Sequence, residues 1–374
     1  MEFTSKPTED SDGSTIMKGT EADKAADFAN YFCSYAYLYH QKQMLMDHVR
    51  MQAYYSAIMQ NKQLFQGKVI LDVGTGSGVL AIWAAQAGAA KVYAVEYTDM
   101  AAHAKALVEA NGLGDIVEVM QSSVEELELP CKVDIIVSEW MGYILLRESM
   151  LDSLIRARNK FLSPDGSMFP SHATLYFSLI TNEDDRLNRS NEYYSAMNDW
   201  NKFVIEMKEY YNVNMSVFEQ PYEKEQSDYY IFSSLWTELR VENLVGQPVV
   251  IKHLDINTCT IEDAECVPVT PFSISVPYPI RVSGFASWFT VDFAGSAHNP
   301  TTNRVTLSTG PEVGYTHWGQ QVFYTKDCMD CQPDSKISGT VALVRQEKNK
   351  RLYDLQLVHA LDDGEPTKAK YEIP

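Results

Sequence analysis

The chain has 374 residues, enough for two or three folding units, and carries 31 Lys plus Arg against 50 Asp plus Glu, a formal charge of −19. That balance disfavours nucleic acid and suits cationic partners, although a soluble acidic protein needs no function to have it. No uninterrupted apolar run is long enough to span a bilayer, and six cysteines in a chain of this size do not make a disulfide scaffold.

The N-terminal stretch MEFTSKPTEDSDGSTIMKGTEADKAADF has no basic segment followed by an apolar core, so no secretory signal is expected, and residues 1–25 read as a disordered acidic tail. A reducing compartment, cytoplasmic or nuclear, is the expected address. Residues 28–66 read as helix, with Leu45, Val49 and Ala53 forming one stripe and Met44, His48 and Met51 beside it. A β-α alternation follows. Lys68–Val73, Lys91–Glu96, Ile116–Met120 and Val133–Ser138 read as strands; Val79–Ala87, Met100–Asn111 and about Glu148–Phe161 read as helices. Ser163-Pro164-Asp165-Gly166 reads as the stop signal of the last helix. This order predicts an α/β, doubly wound, parallel sheet over about 26–170.

After Phe169-Pro170 the period changes to strand alternation, in ATLYFSLI, PVVIKHLDI, PFSISVPY, RVSGFASWFTVDFA, NRVTLST, QQVFYT, SGTVALVR and LYDLQLVHA. Residues 171–374 are therefore expected to form an antiparallel barrel or sandwich. A helical, aromatic and charged island at about 183–226 interrupts it, either a surface excursion or an interaction arm. Cys328-Met329-Asp330-Cys331 is a lone CxxC without a second ligand pair, so no metal site is expected.

Two motifs carry chemistry. The first is Asp72-Val73-Gly74-Thr75-Gly76-Ser77-Gly78, a glycine turn that follows the first strand directly. Gly74 and Gly76 allow a sharp turn and a close ligand approach; Glu96, 22 residues beyond Gly74, ends the second strand, where an acid accepts hydrogen bonds from a ribose diol. A dinucleotide fingerprint would want glycine where Val79 stands, and Asp72 suits a cationic ligand better than a pyrophosphate. S-adenosylmethionine, with a sulfonium, an ammonium and a ribose, fits this better than a nicotinamide cofactor. Arg50, on the preceding helix, is available for its carboxylate.

The second motif is SEWMGYILLRESML, where Glu139 and Glu148 stand nine residues apart. Glu139 falls at the carboxyl end of the fourth strand, where open α/β sheets bind ligands. Glu148 is read as opening the next helix. The pair can share a proton as acid and base, or grip a cation. The fitting cation is a guanidinium, whose planar fork of donors matches carboxylates two bonds at a time.

These motifs resemble the protein arginine N-methyltransferases over most of the chain. SEWMGY with Glu148 resembles the family's double-glutamate loop; YFCSYAYLYHQKQMLMDHVR resembles its cofactor-capping helix. VILDVGTGSGVLAIWAAQAG and VYAVE resemble its cofactor motifs, and Tyr315-Thr316-His317-Trp318 its threonine-histidine-tryptophan loop. The resemblance implies a Rossmann-like, S-adenosylmethionine-dependent domain, then a β-barrel substrate domain with an inserted helical dimerisation arm. It implies that Glu139 and Glu148 clamp the substrate guanidinium and that Asp72, Gly74, Gly76 and Glu96 hold the cofactor. Glu125 would lie near the adenine, and Arg50 would pair with the cofactor carboxylate. Met44, Met150, Tyr35, Tyr143 and Trp318 would line the acceptor pocket. His317 would pair with Asp47, as a proton relay or as a latch. Arginine-rich protein substrates such as histone tails or RNA-binding proteins follow, with a head-to-tail homodimer and neither direct nucleic-acid nor membrane binding. The methionines and the late loop resemble the enzymes that make asymmetric dimethylarginine. Two departures stand out: Gln41-Lys42-Gln43 replaces the family's histidine-glutamate-glutamate, with His40 one place earlier, and Tyr97 follows Glu96. The rivals are a nicotinamide-dependent oxidoreductase and a non-catalytic scaffold with the same fold.

Overall fold

The computed structural model describes residues 35–373, so the expected tail at 1–25 and the start of the expected first helix lie outside the described residues. The helix expected to run through residue 66 is broken into α1 (Leu38–Met46), α2 (His48–Met59) and α3 (Lys62–Phe65). Asp47 causes the first break. Its backbone is extended, and its Oδ1 accepts the Arg50 N–H at 2.9 Å, capping α2. A short acidic side chain that satisfies the first turn's free N–H groups starts a new helix rather than continuing the old one.

Five parallel strands follow: β1 (Val69–Val73), β2 (Lys91–Glu96), β3 (Val117–Gln121), β4 (Val133–Val137) and β5 (Leu162–Phe169), in spatial order β3-β2-β1-β4-β5. Helices α4 (Val79–Gln86), α5 (Met100–Ala110) and α6 (Met150–Phe161) connect them. The central strands are mainly apolar, as burial on both faces requires; Ile70, Leu71, Val92, Val95 and Ile136 are all buried. The strand order reverses beside β1, the place where such sheets bind ligands. Two expectations are corrected. Ser163-Pro164-Asp165-Gly166 lies inside β5 rather than in a turn; β5 sits at the sheet edge and its register with β4 shifts between Val133 and Ile135, an irregularity that accommodates proline and glycine. The helix after β4 begins at Met150, not Glu148, because Glu148 and Ser149 have φ of 79° and 57°.

The second half is antiparallel. One sheet runs β7-β12-β10-β6-β8 with β11 paired to β10, and a second runs β15-β14-β13-β9. Their ranges are β6 (His172–Ile180), β7 (Leu235–Thr237), β8 (Leu244–Asp255), β9 (Cys266–Ser275), β10 (Ile280–Gly295), β11 (Pro300–Ser308), β12 (Gln320–Cys331), β13 (Lys336–Arg345), β14 (Tyr353–Leu361) and β15 (Thr367–Ile373). Phe177 of β6 stacks on Phe285 of β10 at 5.1 Å, and Phe272 of β9 meets Phe177 edge-on at 5.3 Å, which joins the sheets. The CxxC sits at the end of β12, where Cys331 pairs with Ile280. Strands β7 and β15 were not expected: β7 has three residues, and β15 alternates lysine and glutamate with small or apolar residues.

Between β6 and β7 stand α7 (Glu183–Tyr211), a helix of 29 residues, and α8 (Glu219–Tyr230). Neither buries a residue. Trp200 stacks on Tyr222 at 4.2 Å and ties the two together. The parallel and antiparallel halves share one core; Tyr54 of α2 and Phe169 of β5 both pack on Phe293 of β10.

Candidate active site

A cavity of about 360 Å³ opens at the carboxyl ends of β1 and β2. Its floor is the glycine turn. Gly74 and Gly76 have φ of 70° and 53°, which glycine alone adopts at no steric cost. A Cβ on Gly74 would strike the Met150 methyl, and one on Gly76 would lie 2.8 Å from Gln41 Oε1. Backbone therefore faces the cavity where any side chain would fill it.

Glu96 ends β2 at the cavity wall, only 8% exposed. Its Oε2 accepts the Gly76 N–H at 3.0 Å; its Oε1 accepts the Thr98 N–H and hydroxyl at 2.9 and 2.8 Å. These bonds hold the turn in shape and fix the carboxylate at the rim. Asp72 differs from expectation. It is buried behind the turn and is not among the residues lining the cavity; its Oδ2 accepts the Thr75 hydroxyl. Burial pushes its carboxyl up to about 7, against the opposing Thr75 hydrogen bond. Its place is that of a brace under the glycine turn, next to the cavity-lining Val73. Glu125 is exposed at the opposite rim and accepts the Ser153 hydroxyl at 3.1 Å.

Glu139 and Glu148 both line this cavity and both line a second one, of about 340 Å³, on their other side. Tyr35 and Met44 also border both cavities; Tyr143, His317 and Trp318 border only the second, and Met150 only the first. The glutamates thus stand where the two spaces meet. Glu139 Oε1 accepts the Met141 N–H at 3.1 Å, and its Oε2 accepts Arg50 Nε at 3.2 Å. Arg50 was expected to serve a ligand carboxylate; here its guanidinium lies at the cavity and pairs with Glu139. Glu148 Oε2 accepts the Tyr35 hydroxyl at 2.9 Å, and its Oε1 lies 3.6 Å from Arg147 Nη1. The Arg147 guanidinium sits over the Tyr143 ring at 5.4 Å, and burial raises the Tyr143 phenol above its ordinary value.

Glu148 is presented from left-handed backbone. Ile144, Leu145, Glu148 and Ser149, all in this loop, have φ between 50° and 79°. Each costs on the order of 1–3 kcal/mol and persists only where the surroundings fix it.

The loop before β12 closes the second cavity. His317 Nδ1 lies 2.7 Å from Asp47 Oδ2, and the same oxygen accepts the His317 backbone N–H at 2.9 Å. Asp47 is completely buried. Burial opposes its ionisation, but hydrogen bonds from the His317 ring and from the Arg50 and His317 N–H groups outweigh that and hold its carboxyl below the usual range. Trp318 donates Nε1–H to the Met141 carbonyl at 2.8 Å, so the loop is also pinned to the Glu139 segment. His40, one of the departures noted in the sequence, borders the second cavity.

Several contributors gave no local signal in the sequence. Gln41 is buried against Gly76 and donates to the Tyr35 carbonyl at 3.2 Å. Thr75 orients Asp72 behind the turn, and Thr98 orients Glu96 at the cavity wall. Arg351 lines the first cavity from the far end of the chain.

Comparison with known proteins gives a consistent picture. The family model described as the arginine methyltransferase oligomerization subdomain matches residues 171–364, and that of ribosomal protein L11 methyltransferase matches residues 48–172. The chain is 49% identical over 346 residues to protein arginine N-methyltransferase PRMT10 of Oryza sativa subsp. japonica, covering 91% of this chain and 90% of that protein. It is 47% identical over 337 residues to the PRMT10 of Arabidopsis thaliana, covering 90% and 88%. Among solved structures, Arabidopsis thaliana protein arginine methyltransferase 10, described as having a uniquely open conformation, superposes with a TM-score of 0.90 at 45% identity, over 92% of this chain and 100% of that one. The Trypanosoma brucei PRMT1 enzyme-prozyme heterotetrameric complex with AdoHcy superposes with a TM-score of 0.75 at 28% identity, over 91% and 100%.

Proposed function

The chain belongs to the protein arginine N-methyltransferase family, and we propose that it converts protein arginine to monomethylarginine and asymmetric dimethylarginine. The observation that carries this reading is the placement of Glu139 and Glu148 between two cavities, one walled by the glycine turn and Glu96, the other by Tyr143 and His317.

The first cavity fits S-adenosylmethionine, the cofactor of this family. Its floor is bare backbone at Gly74 and Gly76, where a Cβ would intrude. Glu96 offers a buried carboxylate for the ribose diol, Glu125 would lie near the adenine, and Arg50 would take the ligand carboxylate. Its volume is in the range of small-molecule sites. When bound, that cofactor supplies an electrophilic methyl on a sulfonium. From the second cavity, a substrate arginine would present its guanidinium to both glutamates. The two carboxylates would hold its N–H fork in plane and draw positive charge toward the bonded nitrogens, leaving the remaining nitrogen richer in electrons and aimed at the first cavity. In this reading Glu148, already bonded to the Tyr35 hydroxyl, receives the proton which that nitrogen sheds.

The His317–Asp47 pair is best read as a latch. A carboxyl held ionised by three N–H donors is a poor proton acceptor, whereas the bonds it makes join the loop before β12 to the α1–α2 break. Met44 and Met150, each beside a glutamate-lined space, support the asymmetric product. Arginine-rich tails of histones or RNA-binding proteins suit a chain of charge −19, and a cytoplasmic or nuclear address is part of the proposal. A head-to-tail dimer through α7 and α8 completes the proposal.

The test is mass spectrometry of an arginine-glycine-rich peptide after incubation with the protein and S-adenosylmethionine, with fragmentation of the dimethyl product. Loss of dimethylamine is expected. Loss of monomethylamine would mean a symmetric product and overturn the subtype.

A further inference from the structure

The left-handed backbone of Glu148 and Ser149 has to be held by something, and much of the hold comes from a hairpin more than two hundred residues away. Residues 346–352 join β13 to β14. The Glu148 N–H donates to the Arg351 carbonyl at 2.7 Å. Arg351 Nη1 donates back to the Glu148 carbonyl, also at 2.7 Å. The Ser149 hydroxyl donates to the Lys350 carbonyl at 2.7 Å. The hairpin is itself fixed at its base, where Arg345 grips both oxygens of Asp152 on α6 at 2.8 and 3.0 Å and donates to the Tyr353 hydroxyl at 3.0 Å. Both backbone polar groups of Glu148 are therefore paired with one residue of the β domain.

We propose that Arg351 is a positioning residue for Glu148, so that the aim of this carboxylate depends on the β13–β14 hairpin, which fixes its backbone, as well as on the domain that carries it. The inference rests on the reading of Glu148 as half of the guanidinium clamp. A residue with φ of 79° has no helical neighbours to share its N–H and C=O groups, and releasing either lets the loop relax toward ordinary backbone. Such a relaxation swings the side chain, and displacements of about 1 Å at a reacting centre cost up to about a hundredfold in rate. An ammonium can still donate to the Glu148 carbonyl, so lysine serves in part.

The experiment compares the full-length wild type with Arg351→Ala, Arg351→Lys, Ser149→Ala and Glu148→Gln. Steady-state kinetics with an arginine-glycine-rich peptide are combined with cofactor affinity by calorimetry and thermal melting. Arg351→Ala is expected to lower kcat at least about tenfold, with peptide KM and cofactor Kd each moving less than about threefold. Arg351→Lys should recover most of that loss, and Ser149→Ala should lower kcat severalfold in the same sense. If Arg351→Ala keeps a kcat within about twofold of wild type while Glu148→Gln is inactive, the positioning role falls and the clamp stands. A loss confined to cofactor Kd would also overturn it, by assigning Arg351 to the cofactor instead. Normal turnover in Glu148→Gln would remove the clamp and this inference together. Should Arg351→Ala not fold, wild-type kcat in Ser149→Ala overturns the proposal.

Discussion

Asp72 lies behind the glycine turn and does not line the cavity. In the sequence it stands before the glycine turn and invites a role against a cationic ligand. In the structure it is 1% exposed, bonded to Thr75, and its other oxygen has no partner among the described residues. The consequence is a pH dependence. Its folded-state pKa of about 7 lies above the ordinary value near 4, so the folded state binds this proton more tightly than the unfolded chain. Stability from this group is full at low pH, falls as pH rises from about 4 to about 7, and is level above that. Asp72→Asn should flatten this slope. Urea unfolding at pH 5 and pH 8 should show the wild type losing on the order of 2–3 kcal/mol more than the variant between the two. Equal losses would mean that Asp72 titrates like an ordinary carboxylate. Asp47 has the opposite sign: its lowered pKa makes its contribution present above the ordinary carboxylate value and lost as pH falls through the folded one.

At the scale of elements, period and spacing revealed most of the architecture. The parallel strands and their helices are legible because apolar runs of five or six residues alternate with longer amphipathic stretches. The misread points have local physical causes. Asp47 caps a new helix within an otherwise continuous apolar pattern, and Ser163-Pro164-Asp165-Gly166 forms an edge strand despite its turn composition. Glu148 and Ser149 delay α6 because their backbone is left-handed, which no side-chain pattern reveals. The arm, α7 and α8, was legible as a helical island but ends at Tyr230, not 226. Its surface also carries a prediction. Tyr210 and Tyr211 at the end of α7 and Val217 in the turn before α8 are each at least 70% exposed, and Phe218 beside Val217 is exposed too, on an arm whose helices bury no residue at all. If this surface pairs chains, sedimentation equilibrium should show a dimer for the wild type and a monomer for Tyr210→Arg combined with Phe218→Arg. A monomeric wild type, or a variant that remains dimeric, would contradict the arm's role.

At the scale of the whole molecule, the site is assembled from parts that are remote in sequence. The glutamate loop and the glycine turn were readable because each is a compact motif, whose resemblance to a known family narrowed the chemistries its residue types allow. The bonds that orient them were not, because they are tertiary: 270 residues separate Asp47 from His317, 177 separate Trp318 from Met141, and 203 separate Arg351 from Glu148. The β domain thereby touches the methyltransferase domain at the α1–α2 break, at the Glu139 segment and at Glu148. If the proposed roles hold, cofactor binding and acceptor orientation are separable properties, the first resting on the turn and Glu96, the second on two carboxylates held from several directions. The most direct test of that account is the Glu148→Gln variant, measured for S-adenosylmethionine affinity by calorimetry and for single-turnover methyl transfer to a peptide. The account predicts a cofactor Kd within about threefold of wild type and a transfer rate reduced at least about a hundredfold, the scale of losing one electrostatic stabiliser. Transfer at the wild-type rate would contradict it.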